Sequence, residues 1–309
     1  LEFFLIKSII FLTIGFSFLY SQEPITAIPT KINVDKNKVN LGKELFFDKR
    51  LSKDETISCH SCHSFSHGGA DDKRFSLGVE KKVGDINTPT VFNSVFNFAQ
   101  FWNGRSKNLY EQAIGPITKD NEMGMNLQEL IIKLNNTEYK NKFKKIYQDG
   151  ITQNNLIDAI VEYEKTLITP NSPFDRYLKG EKDAITQEEK RGYIIFKEQG
   201  CIACHHGTNV GGNLYARFGV VDKVNSISKG RFEVTKNEDD LYYFKVASLR
   251  NVQFTSPYLH DGRFDNLSDT VKFMANYQLG KSLSEEDIDS IVSFLKSLTG
   301  ELYDYQEEQ

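Results

Sequence analysis

The sequence predicts a mainly α-helical fold in two halves, on three observations. Apolar residues recur at three- and four-residue spacing behind polar N-cap residues, which marks one face of a helix. Only one stretch, about residues 241–254, favours strands. An aromatic segment followed by a cysteine–histidine motif occurs once in each half, the trace an internal duplication leaves. At about 150 residues per domain, 309 residues suit two such units. The composition agrees with a folded chain: 39% hydrophobic residues and seven prolines exclude disordered, collagenous and many-pass membrane proteins. With 38 Lys+Arg against 42 Asp+Glu, and no basic cluster interleaved with aromatics, nucleic acid is excluded as a partner.

The elements follow in chain order. Residues 8–20, Ser-Ile-Ile-Phe-Leu-Thr-Ile-Gly-Phe-Ser-Phe-Leu-Tyr, lie between Lys7 and the polar Gln22-Glu23-Pro24. An apolar run of about 13 residues is short of the roughly 20 that span a bilayer, so residues 1–21 read as a signal peptide and the mature protein as periplasmic. Residues 22–40 form an extended polar lead-in. Leu41-Gly42-Lys43-Glu44-Leu45-Phe46-Phe47 is a short aromatic helix. Asn126 caps a helix through Leu127, Leu130, Ile131 and Leu134, and Thr152 caps one through Leu156, Ala159, Ile160, Tyr163 and Leu167.

Thr169-Pro170-Asn171-Ser172-Pro173 and Lys179-Gly180-Glu181-Lys182 break the helical pattern, which divides the chain into domains 22–176 and 177–309. Thr186-Gln187-Glu188-Glu189 has capping-box form and opens the segment Arg191-Gly192-Tyr193-Ile194-Ile195-Phe196, the second aromatic helix. Residues 241–254 read as loop with short β pieces. Leu267, Val271 and Met274 are helically spaced. Ser284-Glu285-Glu286-Asp287 then opens a helix with Ile288, Ile291, Val292, Leu295 and Leu298 on one face and Gly300 as its stop.

The chemistry lies in the cysteines. Cys59-His60-Ser61-Cys62-His63 and Cys201-Ile202-Ala203-Cys204-His205 both read Cys-x-x-Cys-His, and together they use all four cysteines. Two thiols one helical turn apart can bond both vinyl groups of a haem while the adjacent imidazole meets the iron. A Cys₄ zinc site would bring its pairs within about 15–20 residues, whereas these lie about 140 apart. Thioredoxin-like chemistry needs a βαβ setting that is absent, and disulfides across so short a loop would be strained. The motifs therefore predict two covalently bound c-type haems, with Cys59, Cys62, Cys201 and Cys204 as attachment points and His63 and His205 as proximal iron ligands. His60 and His206 read as exposed neighbours.

The other axial position decides between an electron carrier and a catalyst. Of the three methionines, Met123, Met125 and Met274, the last follows the second motif within the same half and is the candidate distal ligand, with core packing as the alternative. For the first haem, His67 is too near: four residues reach at most about 14 Å, not enough to round the haem edge. An open site follows. Glu122, beyond the Gly115-Pro116 turn, is positioned in sequence to supply an acid/base group there, with a surface carboxylate as the plainer alternative.

Around these residues the chain resembles the bacterial di-haem cytochrome c peroxidases, a family that includes the MauG-type enzymes that oxidise protein tryptophans. The resemblance covers about residues 40–300. It runs through Leu45-Phe46-Phe47-Asp48-Lys49-Arg50-Leu51-Ser52, Asn87-Thr88-Pro89-Thr90-Val91-Phe92-Asn93, Phe101-Trp102-Asn103-Gly104-Arg105, Glu122-Met123-Gly124, Ser248-Leu249-Arg250-Asn251-Val252 and Thr255-Ser256-Pro257-Tyr258-Leu259-His260-Asp261-Gly262. It implies two cytochrome c-like domains and reduction of hydrogen peroxide to water, with electrons from a small donor protein, a cytochrome c or cupredoxin. It also implies a homodimer, as the family often forms.

Several roles come only with the resemblance. Trp102 matches the tryptophan between the two haems, the electron route. Gln112 and Glu122 match the distal pair that handles the peroxide protons, with Glu122 held by Gln112. Met274 matches the methionine ligand of the electron-entry haem, where MauG-type proteins have tyrosine. Asn87, Thr255 and Pro257 match positions around a calcium ion, the last two through backbone carbonyls, and His260 matches a histidine near the second haem. One position departs. Many members carry a histidine where this chain has Val79, which caps the resting peroxidatic haem and leaves on reduction. Valine cannot ligate iron, so the first haem is expected to be five-coordinate without reductive activation. A MauG-like oxidase and a non-enzymatic two-haem electron carrier are the alternative readings.

Overall fold

Asp35 starts the first helix: its carboxylate accepts hydrogen bonds from the N–H groups of Asn37 and Lys38 at 2.9 and 3.2 Å, satisfying donors that the helix itself cannot. In the computed structural model, which describes residues 23–302, the order is α1 (Lys36–Phe47), α2 (Cys59–Cys62), α3 (Leu109–Thr118), α4 (Leu127–Asn135), α5 (Tyr139–Ile146), α6 (Gln153–Thr166), α7 (Pro173–Leu178) and α8 (Gln187–Glu198), then β1 (Tyr215–Arg217), α9 (Phe232–Thr235), β2 (Tyr243–Lys245), α10 (Leu267–Leu279) and α11 (Glu285–Ser297). The signal-peptide segment lies outside the described residues. Among them, no helix is long and apolar enough to cross a membrane.

The mainly α reading holds. Helices begin where cap residues were expected, at Asn126, Thr152, Thr186 and Ser284. The strand-favouring stretch yields one three-residue strand, β2, paired antiparallel with β1 in the register Tyr215–Lys245, Ala216–Phe244, Arg217–Tyr243. Two details differ. The mid-chain break leads directly into α7, because Ser172 caps it in a reciprocal box with Asp175 and Pro173 occupies the first helical position, where its missing N–H costs nothing. The last helix ends at Ser297, and Gly300 serves close packing instead: a Cβ there would lie 2.0 Å from the Thr169 carbonyl oxygen.

The duplication is visible in the packing. α1 crosses α6 and α8 crosses α11, each at a glycine of the repeated aromatic segment. A Cβ on Gly42 would lie 1.9 Å from the Ala159 oxygen and 2.9 Å from the Tyr163 Cβ. A Cβ on Gly192 would lie 1.9 Å from the Ser290 oxygen and 2.9 Å from the Phe294 Cβ. Phe46 and Phe196, four residues past each glycine, are buried.

Buried apolar side chains from Leu41 to Val161 form one core, and Phe174 to Leu298 form another, which also takes in Ile25. A smaller cluster, including Phe46, Val91, Phe92 and Leu167, sits beside the first motif. The lead-in does not stay with the domain that follows it in sequence. Ile25 bridges to Gly207, and the Ile28 N–H donates to Asp175 at 3.3 Å, so this segment straps the second half.

Candidate functional site

Each Cys-x-x-Cys-His motif follows its aromatic helix through a short loop and forms a single turn: α2 in the first half, and a 3₁₀ turn at Cys201–Ala203 in the second. All four thiols are free. Burial raises each, Cys62 and Cys201 to about 11. Both imidazoles are half-buried and oriented by one nitrogen. His63 Nδ1 lies 3.0 Å from the carbonyl of Gly69, in a turn whose φ of 78° suits glycine, and His205 Nδ1 lies 3.3 Å from that of Val210. Burial lowers both imidazole pKa values, that of His205 to about 4, which keeps it neutral. A neutral imidazole with Nδ1 engaged by a carbonyl leaves Nε2 as a metal donor. The residues present therefore fit two thioether-bound haems.

Two cavities adjoin these motifs. The first, about 170 Å³, is lined by Cys59, Cys62, His63, Gln112 and Glu122, with Met123 also in its wall. The second, about 250 Å³, is lined by Cys201, Cys204, His205, Met274 and Trp102. Residues Asn87-Thr88-Pro89-Thr90 line both, so one strip of backbone separates them. Trp102 is fixed to that strip, its indole N–H donating to the Asn87 carbonyl at 2.8 Å. His260 is buried beyond it, edge-on to Trp102 at 6.1 Å, stacked on Phe244 and bonded to the Ser226 hydroxyl.

Glu122 sits on a tight turn after α3, its N–H donating to the Lys119 carbonyl at 2.9 Å and its carbonyl accepting from the Val79 N–H at 2.8 Å. Its carboxylate lies 3.3 Å from Lys119 Nζ. The expected hydrogen bond from Gln112 to Glu122 is not formed among the described residues, so both line the cavity but do not hold one another. Val79 is buried, with its Cγ2 beside Gly124. Asn87, Thr255 and Pro257 all line the second cavity. The Asn87 Nδ2 donates to the Lys73 and Arg74 carbonyls at 3.2 and 3.4 Å, which leaves its Oδ1 as an acceptor. His60 and His206, expected to be exposed, are half-buried: His60 lies between Phe47 and Phe65, and His206 contacts the Asn213 amide.

Two further groups were missed. Glu164 lines the first cavity with its Oε2 unpartnered, and burial alone raises its carboxyl to about 8. A signal existed: Glu164 stands between Ile160 and Leu167 at the spacing of the core face. Lys245 lines the second cavity, where burial lowers its pKa to about 8. Nothing in an apolar strand-like run marked it.

Residues 36–183 match the profile of the family described as di-haem cytochrome c peroxidase. The chain is 46% identical to cytochrome c551 peroxidase of Pseudomonas aeruginosa over 276 residues, 86% of this chain and 80% of that one. It is 43% identical to cytochrome c551 peroxidase of Nitrosomonas europaea over 93% of this chain and 87% of that one. Cytochrome c peroxidase Ccp of Escherichia coli is 44% identical over 94% of this chain, which spans 64% of the longer relative. Methylamine utilization protein MauG of Methylophilus methylotrophus is more distant, at 31% identity over 85% of this chain and 82% of that one. Among solved structures, a MauG-like protein associated with microbial copper homeostasis superposes with a TM-score of 0.79 at 23% identity over 95% of this chain and 98% of that one, a likeness of fold. The two cavities, their paired motifs and these relatives agree: the chain belongs to the di-haem cytochrome c peroxidase family and is an enzyme of the peroxidase class.

Proposed function

We propose that the protein reduces hydrogen peroxide to water at the His63 cavity, with electrons taken from a small redox protein at the His205 cavity. The observation that carries this reading is an asymmetry: His63 shares its cavity with Glu122 and Gln112, whereas His205 shares its own with the thioether of Met274. Two bound haems would supply electron-exchanging irons, held by Cys59, Cys62 and His63 in the first cavity and by Cys201, Cys204, His205 and Met274 in the second. Glu122 takes the proton from the inner peroxide oxygen and returns it to the outer one, so that water is the leaving group. Gln112 orients the peroxide through its amide. Lys119, with its Nζ 3.3 Å from the carboxylate, holds Glu122 in place at the cavity wall. Trp102, fixed on the strip shared by both cavities, is the route between them.

The remaining assignments belong to the same reading. Each half, 22–176 and 177–309, carries one haem in a cytochrome c-like domain. Calcium is held by Asn87 Oδ1 with the Thr255 and Pro257 carbonyls; the turned amide of Asn87 and the shared wall support it. Among the described residues, no group of three or more His, Cys, Asp or Glu side chains gathers as a metal site, which directs a calcium assignment to amide and carbonyl oxygens. Export to the periplasm rests on the apolar segment at 8–20, and a homodimer rests on the family.

The test is peroxide-dependent oxidation of a reduced cytochrome c or cupredoxin, with and without prior reduction of the second haem. We expect turnover in both cases, because Val79 cannot cap the first iron. Absence of turnover with either donor would refute the reading, and turnover only after reduction would refute the role given to Val79.

A further inference from the structure

Lys245 is a buried cation with no counter-ion among the described residues. It is 7% exposed and its side chain lines the second cavity together with His205 and Met274. Among the described residues no carboxylate forms an ion pair with it, and the only influence on its protonation is burial. Arg250, by contrast, is fully buried and meets Asp175 at 2.7 Å. An unmatched ammonium in an apolar wall costs several kcal/mol, so an ordered lysine at such a place implies that an anion arrives with whatever fills the cavity.

The backbone holds Lys245 there firmly. It pairs with Tyr215 across the β1–β2 ladder, and its N–H donates to the Trp102 carbonyl at 2.7 Å. The lysine is thus tied to the residue assigned as the route between the cavities. A haem carries two propionate carboxylates at the edge opposite its vinyl groups, and the vinyl edge belongs to Cys201 and Cys204.

We propose that Lys245 is the counter-cation of a propionate of the haem held by Cys201, Cys204 and His205, and that its charge sets how readily this haem accepts an electron. The inference rests on the two-haem reading above. A fixed positive charge in a poorly hydrated site favours the reduced, less positive iron. Lys245 is accordingly a positioning residue, acting through the haem and touching neither peroxide nor donor.

The experiment uses the holoenzyme and two variants, Lys245→Gln and Lys245→Arg, with haem content measured by pyridine haemochrome. Redox titration of the second haem should show at least a tenfold loss in its reduction equilibrium in Lys245→Gln, a fall of about 59 mV for a one-electron couple, with Lys245→Arg close to the parent and the first haem unmoved. The propionate bending band in resonance Raman spectra should shift in both variants, since even arginine changes the hydrogen bond. Two haems per chain with a parental potential in Lys245→Gln would overturn the inference. If Lys245→Gln does not assemble, an unshifted propionate band in Lys245→Arg would overturn it. Loss of the methionine-ligated low-spin spectrum in both variants would also do so, by showing that Lys245 supports the structure around Met274 and not a propionate. Haem content below two in the parent would instead refute the reading beneath it.

Discussion

Glu122 and Glu164 face the same cavity and do opposite things. Glu122 is half-buried on a turn beside Lys119 and is the group to which we give the proton transfer. Glu122→Gln keeps the shape and removes the base; turnover should fall by about 10²- to 10⁴-fold with both haems in place, read by steady-state peroxidase assay. Glu164 is buried on α6 with one oxygen unpartnered and stays protonated near neutrality, its carboxyl raised to about 8. Its folded-state pKa lies above the unfolded value of 4.5, so between these two the unfolded chain sheds a proton that the folded chain keeps. Stability at this site is therefore unaffected at low pH and declines as pH rises from about 4.5 to 8. Glu164→Gln should remove that decline, gaining on the order of a few kcal/mol at pH 8 and almost nothing at pH 4, in guanidinium unfolding at the two pH values.

At the scale of elements, the two helix crossings carry the haem turns. α1 and α8 lead into the two motifs, and their seats on α6 and α11 depend on Gly42 and Gly192, where partner backbone approaches so closely that any side chain collides with a carbonyl. Gly42→Ala should cost about 3 kcal/mol or more, since the clash is with backbone and cannot be relieved by a rotamer change. Because α1 leads into the Cys59 turn, the spectrum of the first haem should change while that of the second does not, and a denaturation curve with a visible spectrum of each haem checks both. The sequence showed the repeated aromatic segments and the caps at Asn126, Thr152, Thr186 and Ser284, because a cap and an apolar stripe are local properties of a helix. It hid the crossing glycines. Each was a letter in the repeat, and its reason lay more than 90 residues away, on α6 and α11.

Across the whole molecule, one buried ion pair ties distant segments. The Arg250 guanidinium donates to Asp175, to the Ser172 hydroxyl at 3.2 Å, to the Thr208 carbonyl at 3.0 Å and to the Thr26 carbonyl at 2.9 Å. The lead-in strap, the cap of α7 and the loop after the second motif thus meet at one side chain. Arg250→Met should destabilise the protein by about 3–5 kcal/mol, because Asp175 is left charged without its partner, and should open the segment before α1 to limited proteolysis. Pairing it with Asp175→Asn should recover part of the loss, and a double-mutant cycle in denaturant measures the share.

The sequence by itself determined the helical class and the two Cys-x-x-Cys-His motifs whose histidines we propose as proximal ligands, because such a turn and an amphipathic stripe are complete within a few residues. Its family likeness implied the roles proposed for Glu122, Gln112, Trp102 and Met274. Only the tertiary structure decided which residues share a cavity, that Glu122 leans on Lys119 and not on Gln112, that Glu164 is buried with one oxygen unpartnered, and that Lys245 is buried with no carboxylate paired to it among the described residues. Desolvation is a sum over everything packed around a group. Segments far apart in the chain contribute that packing, and no window of neighbouring residues contains it.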